Sequence, residues 1–198
     1  RNSLKKLDLN KITYLNKFLS QEDIKFIFDI IPTLEIVRNE NETFFRSLYL
    51  VERDDTRFKF LFDKCDKAIL DSTGTPLLSH QLYFIKYFKG DYIKRHNDEW
   101  DTDISHGRLY SLVAQMTHPN LYQGGDTFVY NGDETIKLSK EQGDGIFFPS
   151  SMDHELTEVT DGERFSFVVM FKRTLDKVVI YRKSSYIIIC IQDYLTNL

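Results

Sequence analysis

A chain of 198 residues, 41% hydrophobic and 28% charged, has the size and balance of one globular domain and excludes a disordered polymer. Its net charge of −4 supplies no basic field for gripping a phosphate backbone, so no nucleic-acid partner is indicated. No apolar run approaches the ~18 residues of a membrane span, and two cysteines, Cys65 and Cys190, without CxxC spacing, read as inert thiols in a reducing, cytoplasmic setting.

The opening RNSLKKLDLN lacks both an apolar h-region and an initiating Met, so it reads as a trimmed start with no signal peptide in view. In NKFLSQEDIKFI, Ser20 stands three residues before Asp23, a variant of the capping box that predicts a helix from there. Ile24, Ile27, Phe28 and Ile31 recur at helical spacing until Pro32 stops the pattern. A second helix is expected near residues 56 to 70, with Phe58, Leu61, Phe62, Cys65, Ile69 and Leu70 on one stripe. Both helices read as supports that cover a sheet.

From about residue 81 the texture changes to short strand-like runs: QLYFIKYF, DYIKRHND, GRLYSLVAQM, DTFVYN, ETIKLS, GIFFP, HELTEV and RFSFVVMF. Turn segments such as KGD, NGDE, QGDG and TDGE separate several of them, the pattern of an all-β sandwich or barrel. The expected organisation is a single domain over 1–198: helical support over about 15–72, a jelly-roll core over about 81–172, and a C-terminal extension over 173–198. In that extension KVVIYRK and YIIICI look like strands, and QDYLTNL like a short helix.

Within DYIKRHNDEW, His96 and Asp98 are two apart, which on a strand sends both side chains to one face. An isolated pair of this kind also occurs by chance on a solvated loop. Of the five histidines, His154 is the best third ligand because it opens a strand-like run after FFPSSMD, while His106 and His118 read as loop residues. Two histidines and one carboxylate on one face leave open positions on an octahedral metal, as in non-haem Fe(II) oxygenases.

The segment HELTEVTDGERFSF reads as a hairpin closed by Thr160-Asp161-Gly162. In that register Val159 faces Glu163, Glu158 faces Arg164, Leu156 faces Ser166 and His154 faces Val168, so His154, Arg164 and Ser166 line one surface. An arginine inside a barrel needs an anion. Either a bound carboxylate or Glu158 can serve, and the residues leave both open.

These pieces resemble the 2-oxoglutarate- and Fe(II)-dependent dioxygenases, in the prolyl 4-hydroxylase-like branch that includes lysyl hydroxylases. The resemblance runs through NKFLSQEDIKFI, YFKGDYIKRHND, RLYSLVAQM, YQGGDTFVY, GDGIFFPSSMDHELTEV and DGERFSFVVMF, over roughly residues 15 to 172. It implies a mainly β fold with flanking N-terminal α-helices, a double-stranded β-helix (jelly roll, cupin-like), and iron held by His96, Asp98 and His154. It also implies Arg164 on the far carboxylate of 2-oxoglutarate, Ser166 beside it, and Tyr87 in contact with the cosubstrate or in the core. After Arg108-Leu109-Tyr110-Ser111 this chain has Gln115 where many relatives carry a cosubstrate-binding tyrosine, so Gln115 is carried as a further candidate.

The implied activity uses Fe(II), 2-oxoglutarate and O2, with ascorbate as an accessory. It hydroxylates a prolyl or related residue of a peptide or protein and releases succinate and CO2. The alternatives are a hydroxylase of a free amino acid or other small molecule, and an inactive jelly-roll binding module. Zinc suits the same ligands but leaves Arg164 unexplained. Glu99 and Trp100, opening EWDTDISHG, are candidates for a substrate lid, and Gly124-Gly125 and Gly143-Asp144-Gly145 are expected to serve turns.

Overall fold

The computed structural model describes residues 11–99, 107–173, 178–183 and 186–191. Its elements are β1 (Thr13–Leu15), α1 (Gln21–Ile30), β2 (Val37–Glu40), β3 (Phe44–Glu52), α2 (Lys59–Thr73), β4 (Leu77–Tyr87), β5 (Tyr92–His96) and β6 (Arg108–Gln115). There follow β7 (Tyr122–Gly124), β8 (Thr127–Asn131), β9 (Glu134–Lys137), β10 (Gly145–Pro149), β11 (His154–Leu156), β12 (Val159–Gly162) and β13 (Arg164–Arg173). A hairpin of β14 (Val178–Lys183) and β15 (Tyr186–Ile191) closes the described chain. The helix expected at QDYLTNL lies outside the described residues.

The capping box forms as the sequence predicts: Asp23 N–H donates to Ser20 Oγ at 3.1 Å and Ser20 N–H donates to Asp23 Oδ2 at 2.8 Å. α1 ends at Ile30, and Pro32 falls in a short 3-10 turn, where its missing N–H matters little. α2 starts three residues later than expected, after a 3-10 turn over Thr56–Phe58, and runs to Thr73, where Gly74 caps it at φ 70°. Leu61, Phe62, Cys65 and Ile69 are buried, but Leu70 is 43% exposed. One residue past Ile69 is a 100° rotation, enough to leave the buried stripe.

Ten strands form one continuous ribbon in the order β1-β10-β6-β13-β4-β3-β5-β11-β8-β9, with β2 joined to β3 and β7 paired separately with β12. The long β3 turns the corner. Its Ser47–Glu52 stretch pairs with β4 and its Phe44–Phe45 end pairs with β5, folding a smaller sheet over a larger one. This is the jelly roll expected from the sequence.

Alternation along β13 shows how two cores arise from one strand. Phe167, Val169 and Phe171 point to the helices and pack in the cluster with Phe58, Phe62 and Phe84. Val168 and Met170 point the other way, into the cluster shared with Val129 and Leu156 of the smaller sheet.

The hairpin expected between His154 and Phe167 does not form. β11 pairs with β5 and β8, β12 pairs with β7, and β13 pairs with β4 and β6. The chain crosses from the smaller sheet to the larger between these strands, so His154 faces His96 and Val129, not Val168. Arg164 reaches the interior from the opposite sheet.

Candidate metal and cosubstrate site

β5 ends at His96 and β11 begins at His154, and the two residues are register partners with ring centroids 4.3 Å apart. Asp98 lies beyond the end of β5, so a shared strand face does not bring it in, as the spacing had suggested. A turn does: Asp98 N–H donates to the Ser150 carbonyl at 2.9 Å, and Ser111 Oγ donates to Asp98 Oδ2 at 2.6 Å. His96 Nε2 is then 3.7 Å from Asp98 Oδ1, and His154 Nε2 is 3.6 Å from Asp98 Oδ2.

The tautomers follow from the outer contacts. His96 Nδ1 lies 2.8 Å from the Lys94 carbonyl and His154 Nδ1 3.2 Å from the Met152 carbonyl. A carbonyl only accepts, so each Nδ1 carries its proton and each Nε2 turns a lone pair toward the centre. One ligand atom from each of the three residues falls within 4.8 Å of the others. Burial opposes the charge on Asp98, yet the two neighbouring histidines and the hydrogen bond from Ser111 hold its carboxyl well below the usual carboxylate range. Burial also pushes His154 down, keeping it neutral and able to donate electrons to a metal.

Arg164 is fully buried. Its Nη1 donates to Ser166 Oγ at 2.5 Å, and its Nη2 donates to Gln115 Oε1 at 2.9 Å and Thr127 Oγ1 at 3.0 Å. Its Nε has no partner, and the guanidinium carbon lies 5.3 Å from the centre of the Tyr87 ring. None of the ion pairs among the described residues involves Arg164, and Glu158 is exposed, so the Glu158 pairing left open by the sequence does not occur. A buried guanidinium held by three neutral acceptors is poised for an anion from outside the chain.

A cavity of about 430 Å³ joins these parts, with His96, Asp98, His154, Tyr87, Thr127 and Ser166 among its walls and Ile85, Ile93, Leu156 and Val168 giving it an apolar body. Gln115 is buried behind Arg164 with its amide oxygen occupied by that arginine, so it orients the guanidinium. Glu99 is exposed, its N–H donating to Asn97 Oδ1 at 3.2 Å, while Trp100 lies outside the described residues.

Three contributors had no clear reading in the sequence. Ser111, visible only as the end of an R-x-x-S run, anchors Asp98, and Thr127 supports Arg164. Gly125, expected to serve a turn, also makes room: a Cβ there would sit 2.9 Å from Arg164 Cδ and 3.0 Å from Val159 Cγ2. His118 caps a 3-10 turn by accepting from Asn120 N–H, consistent with its loop reading, and His106 lies outside the described residues.

A jelly roll whose opposed sheets bring together two histidines, one carboxylate and a buried unneutralised arginine has the donor set of an oxygenase that takes a metal and an anionic cosubstrate. Residues 82–172 match the family model of the 2OG-Fe(II) oxygenase superfamily.

Among curated proteins, a PKHD-type hydroxylase of Shewanella sp. (strain ANA-3) is 31% identical over 98 residues, covering 47% of this chain and 43% of that one. The chain thus spans less than half the length of the curated relatives it matches. Among solved structures, a Pseudomonas putida prolyl-4-hydroxylase superposes with a TM-score of 0.68 at 17% identity, covering 83% of this chain and 94% of that one. A Trichoplax adhaerens prolyl hydroxylase in complex with a hypoxia inducible factor peptide fragment gives 0.66 at 15% identity, covering 82% and 84%. These two likenesses establish the fold. Among the described residues, no helix is long and apolar enough to cross a membrane.

Proposed function

We propose that this protein is an Fe(II)- and 2-oxoglutarate-dependent dioxygenase that hydroxylates a prolyl or related residue of a peptide or protein, with succinate and CO2 as coproducts. The observation that carries the reading is Arg164, a buried cation with no anionic partner among the described residues, whose partners Ser166 and Thr127 line the same cavity as His96, Asp98 and His154. Zinc held by the same ligands accounts for the histidines but not for that arginine. An inactive binding module has no use for the whole set.

In this reading the Nε2 atoms of His96 and His154 and the carboxylate of Asp98 hold iron, and Arg164 grips the far carboxylate of 2-oxoglutarate through its planar fork. The bound iron supplies oxidative decarboxylation of the cosubstrate coupled to hydroxylation of a C–H bond. The chain's own residues position and shield. Ser111 holds one oxygen of Asp98, the Lys94 and Met152 carbonyls hold the histidine rings, and Gln115 and Thr127 aim the guanidinium. Tyr87 and Ser166 flank the cosubstrate, while Ile85, Ile93 and Val168 keep water from its middle.

The branch of the match and the peptide in the Trichoplax complex support a peptidyl substrate. Residues 1–198 act together in this proposal as one catalytic unit, with Glu99 and Trp100 at the substrate lid, ascorbate as an accessory reductant, and a reducing compartment as the setting. Succinate release measured against prolyl peptides and free amino acids tests it, with the His96→Ala, Asp98→Ala and His154→Ala variants as controls. Fe(II) and 2-oxoglutarate added without oxygen should give a visible charge-transfer band in the unmodified protein. Full turnover in any of the three variants, or no band, refutes the assignment.

A further inference from the structure

We propose that the cavity contains a carboxylate subsite, built on Arg46 and completed by Arg108 and Asn39, that selects substrates carrying a negative group near the reacting carbon. This rests on the hydroxylase reading above and specifies its substrate class. The argument starts from the arginines. Arg38, Arg53, Arg57 and Arg95 are each paired with an aspartate, and Arg173 is exposed at the end of β13. The three other arginines with described side chains, Arg46, Arg108 and Arg164, have no acidic partner among the described residues; Arg46 and Arg108 line the cavity, and Arg164 lies behind its wall, bonded to the lining residues Ser166 and Thr127. Arg164 is accounted for by the cosubstrate. Two positive charges remain for the substrate.

Arg46 on β3 is the register partner of Asn39 on β2, so the two side chains share a face, and both line the cavity with His96 and His154. Its guanidinium lies over the Phe44 ring at 4.3 Å, which fixes its plane, while its Nε is shielded from solvent with no partner. Arg108 enters from β6. Its Nη2 donates to Gln81 Oε1 at 2.7 Å, its Nη1 lies 3.5 Å from the Asp98 carbonyl oxygen, and its Nε is likewise shielded and unpartnered.

Acids are present but committed. Glu155 lines the cavity yet accepts from the Tyr130 hydroxyl at 2.7 Å, and Asp98 faces the two histidines. Half-buried guanidinium forks match a carboxylate, which accepts two parallel hydrogen bonds, better than they match a single carbonyl oxygen. The Asn39 amide supplies a neutral donor beside Arg46.

The test compares substrates differing by one charge: prolyl peptides with Glu at successive positions on either side of the proline against their Gln isosteres, and free L-proline against L-prolinamide. Succinate release by the Fe(II)-loaded protein should favour the acid of at least one pair by about ten- to a hundredfold in kcat/KM. Whichever pair responds identifies the carboxylate as a side chain of a peptide or the α-carboxylate of a free amino acid. Arg46→Gln should erase that preference, Arg46→Lys should keep part of it, and Arg46→Glu should turn it toward peptides bearing Lys.

A folding defect lowers acid and amide turnover alike, so the ratio within each pair separates it from loss of the subsite. Equal turnover of acids and amides by the unmodified protein, or an undiminished preference in Arg46→Gln, overturns the proposal. Absence of succinate release with every substrate overturns the hydroxylase reading and the subsite with it.

Discussion

Adding a single methyl group at Gly125 should weaken 2-oxoglutarate binding while leaving the metal ligands in place. Gly125 has φ 59°, a conformation that costs an L-residue about 1–2 kcal/mol. The new Cβ would also meet Arg164 Cδ at 2.9 Å and Val159 Cγ2 at 3.0 Å. Both neighbours are fully buried, and Arg164 is pinned by Ser166, Gln115 and Thr127, so relief requires lengthening some of those bonds. Overpacking of this kind costs roughly 1–3 kcal/mol, so Gly125→Ala should lose about 2–5 kcal/mol of stability. A misaligned fork should weaken the cosubstrate by about tenfold or more.

Gly132→Ala is the internal control. Gly132 has φ 61° but nothing within 4 Å of an added Cβ, so it should show only the backbone cost and unchanged cosubstrate affinity. Urea unfolding measures the first quantity, and anaerobic titration of the Fe(II)-loaded protein with 2-oxoglutarate measures the second. If the two variants behave alike in both assays, Gly125 does not seat Arg164 and the packing argument fails.

Arg164→Lys keeps a positive charge but cannot span Ser166 and the Gln115–Thr127 pair together, so 2-oxoglutarate affinity should fall about ten- to a hundredfold, and an unchanged affinity would refute the fork geometry. Ser111→Ala frees the oxygen of Asp98 that it holds, and metal affinity by competition with a chelator should drop about tenfold or more, whereas Ser111→Thr should largely restore it. Asp23 is held below its ordinary value by Lys64 and by its bonds to Ser20, against the effect of burial. Its contribution is therefore complete above its unfolded value of about 3.9 and is lost as pH falls through the lower folded value. Asp23→Asn should cost about 1 kcal/mol in urea unfolding at neutral pH, and that gap should close in acid; a gap that widens in acid reverses the sign.

Much of this protein is a local property of its sequence. Ser20 and Asp23 start α1 through their own side chains, Ile24 and Ile27 choose its buried face, and the period-two runs from residue 81 mark the strands. The candidate site was legible as a set too, because a resemblance over several ordered motifs points to His96, Asp98, His154 and Arg164 together. The reason for their convergence was not. The register counted through Thr160-Asp161-Gly162 joined His154 to Arg164 along one hairpin, but those strands lie in opposite sheets and meet across the cavity. Strand partners are chosen by long-range burial, which no local count contains.

The same distinction separates the residue types at the site from the contacts that make them work. Composition and spacing by themselves determined a globular chain with two helices, a run of short strands and a histidine–carboxylate set suited to a metal. Only the tertiary structure decided that Ser111 anchors Asp98, that Gln115 and Thr127 hold the guanidinium, that Gly125 makes room for it, and that Arg46 and Arg108 face the cavity with no ion-pair partner among the described residues. Each of these depends on atoms brought together from distant segments, and hydrogen bonds and close packing act only across a few ångströms of space, whatever the separation along the chain.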